Sequence, residues 1–210
     1  PVISPRTHFV FTPLLASTAV GTLEFRCIAE PIRGINKDIK YHEAAATGID
    51  IENKVVQCEN AIDKSRKFSL PYDKLLIACG AIPNTYNTPG VQEHAYFLKE
   101  VNDARKIRHH ILDRFELASG PTVDEETKKA LLNFAVVGGG PTGIELSAEI
   151  HDLIKDDIFR IYPKLKPYFK LTVYDVADKI LGGFDARLGN YAMKKFKRNG
   201  IDIRTGTKIK

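Results

Sequence analysis

The sequence holds only three cysteines, Cys27, Cys58 and Cys79, and no two stand at C-x-x-C or C-x-x-x-x-C spacing. A zinc knuckle needs closely spaced ligands and a redox-active disulfide needs a matched pair, so neither chemistry has a foothold. No H-E-x-x-H and no G-x-S-x-G occurs, which removes the usual sequence basis for metal-dependent and serine hydrolases. No apolar run approaches the ~20 residues that span a bilayer. No basic helix and no patch of interleaved aromatics and cations stands out, so nucleic acid is not an expected partner. Internal repeats, low-complexity tracts and a signal peptide are also missing. The chain opens on Pro1 in "PVISPR", which reads as the end of a strand, so an internal stretch of a longer protein is expected.

What is there suits a folded protein with a core. The 210 residues are 43% hydrophobic, enough for one large domain or two small ones. The net charge of +5 is mild. It reads as solvated lysine faces, with a weak attraction to anionic lipid or ligands as the lesser reading.

Along the chain, "KYHEAAATGIDIENKVVQC" reads as two strands around a turn at Glu52-Asn53. "RKFSLPYDKLLIACG" reads as two more with Pro71 between them, the last being Lys74–Cys79. From Asn102, placed to cap, Ala104, Ile107, Ile111, Leu112 and Phe115 recur at helical spacing. Arg105, Lys106, Arg108, His109 and His110 fall mainly off that stripe and read as a solvated face. "ASGPTVDEETKK" reads as a surface connection. A buried strand over Leu131–Val137 then leads through glycines into a helix from Thr142. A further helical piece over Ile154–Ile161 precedes the strand "KLTVYD". A helix over Arg187–Arg198 stops at Gly200 and feeds "IDIRT". That order, β-α-β-α-β, predicts a parallel sheet, and the chain divides into two domains between Gly90 and Leu131.

The glycines carry the chemistry. Gly138, Gly140 and Gly143 satisfy G-x-G-x-x-G, and the motif follows a strand and opens a helix, as its physics requires. Gly138 is expected to allow a tight turn, Gly140 to let backbone approach a pyrophosphate, and Gly143 to let the helix pack on the strand. Gly139, Pro141 and Thr142 complete the loop, and the helix N-terminus offers N–H groups and partial positive charge to phosphates. The motif also calls for an acid at the end of the next strand, usually about 20 residues on, to hold ribose hydroxyls. Asp175 fits that role after an elongated crossover, whereas Asp156 and Asp157 come too early, on a helix. An acid there repels a 2′-phosphate and favours NAD(H) over NADP(H). Glu145, in the first helical turn, either answers the helix dipole or reaches the nicotinamide end of the cofactor.

"SPRTHFVFTPLLASTAVGTLE", "YDKLLIACGAIPNTYNTPGVQEHAYFLKEVNDARKIR" and "VVGGGPTGIELSAEI" together resemble the type II NADH:quinone oxidoreductases, the alternative, rotenone-insensitive NADH dehydrogenases of fungal and plant mitochondria. The glycine motif is shared with many flavoproteins, whereas the first two stretches are far more specific. The resemblance implies an α/β fold of two Rossmann-like, doubly wound dinucleotide-binding domains of the FAD/NAD(P)-binding flavoprotein type, both incomplete here. Residues 1–95 would belong to the FAD domain and residues 96–210 to the inserted NADH domain. Ser4, Pro5 and Arg6 would approach FAD, Thr12 and Pro13 would lie near the isoalloxazine, and Ala78 and Gly80 would sit in a cofactor turn where Cys79 replaces the usual Thr. The implied cofactors are FAD and NAD(H).

The implied activity is hydride transfer from NADH to FAD and electron transfer to a membrane quinone, without proton pumping. No catalytic residue is assigned. Peripheral attachment to the mitochondrial inner membrane, through regions outside this stretch, follows from the resemblance. A homodimer is compatible with it. The 210 residues alone would bind no FAD and would be inactive. A pyridine nucleotide–disulfide reductase is disfavoured by the missing cysteine pair. The alternative from another class is a nucleotide-binding flavoprotein of the apoptosis-inducing-factor kind with a signalling role, which lacks the "FTPLL…VGT" and "EHA.FLKEV" signatures.

Overall fold

The structure is a computed structural model and describes residues 1–209. The chain forms two compact units, one of Pro1–Phe11 and Phe25–Ile82, the other of Thr12–Glu24 and the chain from Pro83 onward.

The first unit contains β1 (Val2–Ser4) and β2 (His8–Val10). After the intervening Thr12–Glu24, which carries α1 (Leu15–Val20), it continues with β3 (Ala29–Pro31) and the short α2 (Ile32–Ile35). The strands β4 (Tyr41–Asp50), β5 (Val55–Asn60) and β6 (Lys67–Pro71) complete it. One sheet runs β1-β4-β5-β6: β1 is parallel to β4, and the rest is an antiparallel meander. The turn between β4 and β5 forms where the sequence places it. The Asp50 carboxylate there accepts from the Asn53 backbone and side-chain amides at 3.0 and 2.8 Å, a local bond that favours a turn over a continued strand. Ala44, Val56 and Cys58 are buried between the strands and packed by Ile3, Phe68, Leu70 and Tyr72. Burial also pushes the Cys58 thiol pKa up. β2 and β3 pair separately as an antiparallel ribbon.

Lys74–Cys79 is not a strand. Leu76 is 87% and Ile77 64% exposed. An apolar run becomes a strand only where a neighbour completes its ladder, and no described segment does so here.

The second unit adds α3 (Val91–His94), α4 (Val101–Ala118), α5 (Glu125–Leu131) and β7 (Asn133–Val137). The helix α6 (Pro141–Asp152) passes without a break into a π-helical stretch, Leu153–Ile158, and a last turn, α7 (Phe159–Ile161). A 3-10 segment, Pro163–Tyr168, leads to β8 (Lys170–Tyr174), α8 (Ala186–Asn199) and β9 (Asp202–Arg204). The sheet runs β7-β8-β9, all parallel, as β-α-β-α-β order predicts. Among the described residues no helix is long and apolar enough to cross a membrane.

Five expectations need adjustment. The α4 cap is Glu100 rather than Asn102. Its carboxylate accepts from the N3 N–H while the Asp103 carboxylate accepts from the Glu100 N–H at 2.9 Å, a reciprocal pair that a lone Asn102 cannot match. Leu112 leaves the stripe and is 42% exposed, because it sits about 100° around the helix from Ile111. The polar connection contains the start of α5, where the Asp124 carboxylate accepts from the Thr127 N–H and hydroxyl. β7 is half-buried, with Phe134 and Val136 turned inward and Val137 67% exposed, since it is the edge strand of the described sheet. The helical piece expected over Ile154–Ile161 is the continuation of α6 through its π turn.

The core of this unit centres on Phe115, which is 0% exposed. Phe134, Phe159, Tyr162 and Phe169 surround it with ring centroids 6.2–6.5 Å away, the spacing of interlocking aromatic pairs. α1 packs on both α4 and α6 and buries Leu15, Ala16, Thr18, Ala19 and Val20.

Candidate dinucleotide site

The loop from β7 to α6 is held by backbone bonds, and each glycine in it has a different reason to lack a side chain. Gly138 continues the ladder, donating to the Tyr174 carbonyl at 2.8 Å, and then turns with φ +116°. A Cβ on Gly138 would meet nothing within 4 Å, so its requirement is the dihedral and not a clash. Gly143 is the opposite case: a Cβ there would stand 1.9 Å from the Gly138 carbonyl oxygen. Gly140 caps α6, and a Cβ on it would point into open space. Beside that space lie Thr142 and Gly143, in the first turn of α6, where helix geometry leaves N–H groups without carbonyl partners. Pro141 at the first helical position has no N–H to lose.

Gly139 is buried and fixed on three sides. Its N–H donates to the Asp175 carboxylate, its carbonyl accepts from the Leu181 N–H at 2.8 Å, and a Cβ would strike Ile180 at 2.7 Å. Asp175, half-buried just after β8, uses its other oxygen to accept from the Ala177 N–H at 2.7 Å. Each carboxylate oxygen therefore keeps a further lone pair for a ribose hydroxyl. Glu145 is exposed and, as the fifth residue of α6, lies one step beyond the first turn expected for it, because the helix starts at Pro141. Gly138–Gly143, Glu145 and Asp175 all lie in the second unit. Bare backbone over Gly140, first-turn N–H groups and a carboxylate at the next strand end are the parts that a pyrophosphate and an adenosine ribose require. The residues fit NAD(H).

The residues expected near FAD divide between the units. Ser4, half-buried at the end of β1, accepts the Arg6 N–H at 3.1 Å through its hydroxyl. The Tyr41 hydroxyl donates to the Ser4 and Arg6 carbonyls at 3.0 and 3.1 Å, which fixes the backbone around Pro5. Ala78 and Gly80 lie in the exposed segment after β6, with Gly80 at φ +72° and open space around it. These residues are in the first unit. Thr12 and Pro13 form an exposed 3-10 turn that belongs to the second.

Sequence reasoning missed Ile180 and Leu181, whose only signal is their short distance past Asp175. It also missed Glu149. The Glu149 side chain accepts from the Ser17 hydroxyl at 2.7 Å and the Thr22 hydroxyl at 3.0 Å, and nothing in a linear sequence joins positions 132 residues apart.

Residues 2–210 match the sequence profile of the pyridine nucleotide-disulphide oxidoreductases. The external alternative NAD(P)H-ubiquinone oxidoreductase B4, mitochondrial, of Arabidopsis thaliana is 50% identical over 99% of the chain and 37% of that protein. The internal alternative NAD(P)H-ubiquinone oxidoreductase A1, mitochondrial, of the same organism is 43% identical over 97% of the chain and 42% of that protein. The structure of NDH2 from Plasmodium falciparum in complex with NADH superposes with a TM-score of 0.89, at 35% identity, over 97% of this chain and 42% of the other. The chain thus spans well under half the length of these relatives.

Proposed function

Because the chain belongs to the pyridine nucleotide-disulphide oxidoreductase family, we propose that it forms part of a flavin-dependent NADH dehydrogenase that delivers electrons to a quinone at the mitochondrial inner membrane. The family supplies two dinucleotide sites on one α/β framework. The disulfide chemistry in its name needs a cysteine pair, and within these residues Cys27, Cys58 and Cys79 are each a free thiol. The quinone takes the place of the disulfide as electron acceptor, in keeping with relatives that are named ubiquinone oxidoreductases. An apoptosis-inducing-factor-like signalling role gains no support from them.

One observation carries the reading: the open face over Gly140, flanked by the first turn of α6 and by Asp175. In this reading the N–H groups of Thr142 and Gly143 hold the pyrophosphate. Asp175 holds the adenosine ribose and Glu145 lies toward the nicotinamide. Thr12 and Pro13 are assigned to the flavin ring, and Ser4, Pro5, Arg6, Ala78 and Gly80 to the rest of FAD. FAD, held by these residues, would supply the two-electron carrier between NADH and the quinone. The chain's own task is to hold the nucleotide in register and to keep water from the transfer.

The test uses the full-length protein. Purified with its membrane lipid, it should carry the yellow absorbance of FAD and oxidise NADH at a rate that depends on added ubiquinone. A colourless protein, or NADH oxidation indifferent to quinone, would overturn the proposal.

A further inference from the structure

We infer that Glu149 is a positioning residue, which fixes the Thr12–Pro13 turn relative to the glycine loop and so sets the approach of nicotinamide to flavin. The inference rests on the NADH-to-flavin reading proposed above and concerns side chains of the second unit alone. α6 begins in the glycine loop and carries Glu145 and, one turn later, Glu149 on the same face. α1 follows directly from the Thr12–Leu14 turn and packs along α6 and α4.

The end of α1 is a left-handed glycine stop. Gly21 has φ +87° and donates its N–H to the Thr18 carbonyl, and the Thr22 N–H returns to the Ser17 carbonyl at 3.0 Å. This paired closure fixes Ser17 and Thr22 relative to each other. Glu149 grips both hydroxyls, one with each carboxylate oxygen. Two bonds to two fixed points constrain the rotation of α1 as well as its distance from α6, a directional restraint that non-directional apolar contact does not supply. The Arg108 guanidinium lies over Gly21, where a Cβ would come 2.6 Å from Cζ, so α4 closes the third side. Glu149 therefore couples the element that starts at Gly140 to the element that starts at Thr12. A misplacement of about 1 Å between reacting groups costs on the order of 100-fold in rate.

The experiment uses full-length flavoprotein under anaerobic rapid mixing with NADH. It records FAD content, NADH affinity, the limiting rate of flavin reduction and the long-wavelength absorbance of the nucleotide–flavin pair. Glu149→Ala should keep FAD content and leave NADH affinity within about twofold. Its limiting rate should fall about 10- to 100-fold, with the long-wavelength band reduced in parallel. Ser17→Ala combined with Thr22→Val should reproduce the loss and add nothing to Glu149→Ala, because all three changes remove one interaction. Glu149→Gln should recover most of the rate, since its amide accepts from one hydroxyl and donates to the other. A Glu149→Ala protein with wild-type rate and band overturns the inference. So does one that loses stability and FAD while each remaining flavin reacts at the wild-type rate. A wild-type flavin that NADH fails to reduce overturns the function reading as well, which keeps the two failures distinguishable.

Discussion

The same added methyl, placed at two glycines three residues apart, should give opposite defects. At Gly143 an alanine Cβ would stand 1.9 Å from the Gly138 carbonyl oxygen, against an ordinary contact of 3.4 Å or more. The obstacle is backbone, so α6 and the loop must separate by roughly 1.5 Å, undoing a close packing that Val136 also lines. Overpacking of this kind costs ~1–3 kcal/mol. At Gly140 the alanine Cβ meets nothing within 4 Å and the backbone, at φ −76°, is open to any residue. The protein alone should pay little beyond a weaker helix cap, ~0.5–1 kcal/mol. The methyl would instead stand where a pyrophosphate approaches. Losing one close N–H contact of that kind, ~1.5–3 kcal/mol for a charged partner, corresponds to a roughly 10- to 100-fold weaker nucleotide affinity. Thermal unfolding followed by circular dichroism, paired with NADH titration of the full-length protein, separates the two. Gly143→Ala should lower the melting temperature by several degrees, and Gly140→Ala should raise the Kd with the melting temperature almost unchanged. Wild-type affinity in Gly140→Ala would refute the reading that the loop is bare for a phosphate.

Further outcomes follow from other residues. Wild-type kcat/KM should favour NADH over NADPH by at least about tenfold, because a 2′-phosphate would meet Asp175; steady-state kinetics with Asp175→Asn should show that gap narrowing. Phe115→Ala should cost ~3–5 kcal/mol in denaturant unfolding, since it removes a ring fully enclosed by four others. Burial, with Arg114 nearby, holds the His110 pKa below the usual histidine value. The unfolded chain therefore binds the proton more readily, and stability should fall as pH drops through ~6.5 and level off below the folded pKa. Denaturant titrations at pH 7.5 and 5.5 should show a smaller difference for His110→Gln, and an equal difference in variant and wild type would remove the assignment.

Local sequence was enough wherever local forces decide. The glycine loop was legible because a strand, a turn and a helix start follow one another within a few residues. The α4 stripe was legible because Ala104, Ile107, Ile111 and Phe115 keep helical spacing. Lys74–Cys79 misled because its apolar run says nothing about whether a neighbour exists to pair with it. The half-buried state of β7 misled for the same reason: composition reports apolarity, but sheet order decides how many faces are covered. The π turn over Leu153–Ile158 has no signature in residue type, since Ile154 and Ile158, both buried, stand at the i,i+4 spacing of an ordinary helix. The bonds from Glu149 to Ser17 and Thr22, and from Leu181 to Gly139, exist only after folding has brought distant segments together.

The placement of α1 also orders events in time. Glu149 is made 132 residues after Ser17, which at ~5–20 residues per second is a delay of roughly 7–26 s on the ribosome. The β4-β5-β6 meander pairs neighbours in sequence, and its strands can zip up soon after each emerges. Leu15, Ala19 and Val20, by contrast, wait first for α4 and then for α6 before water is excluded from them. Throughout that interval the helix is a short apolar segment, too brief to hold its own shape, and it stays open to chaperone capture and to mispairing with another copy.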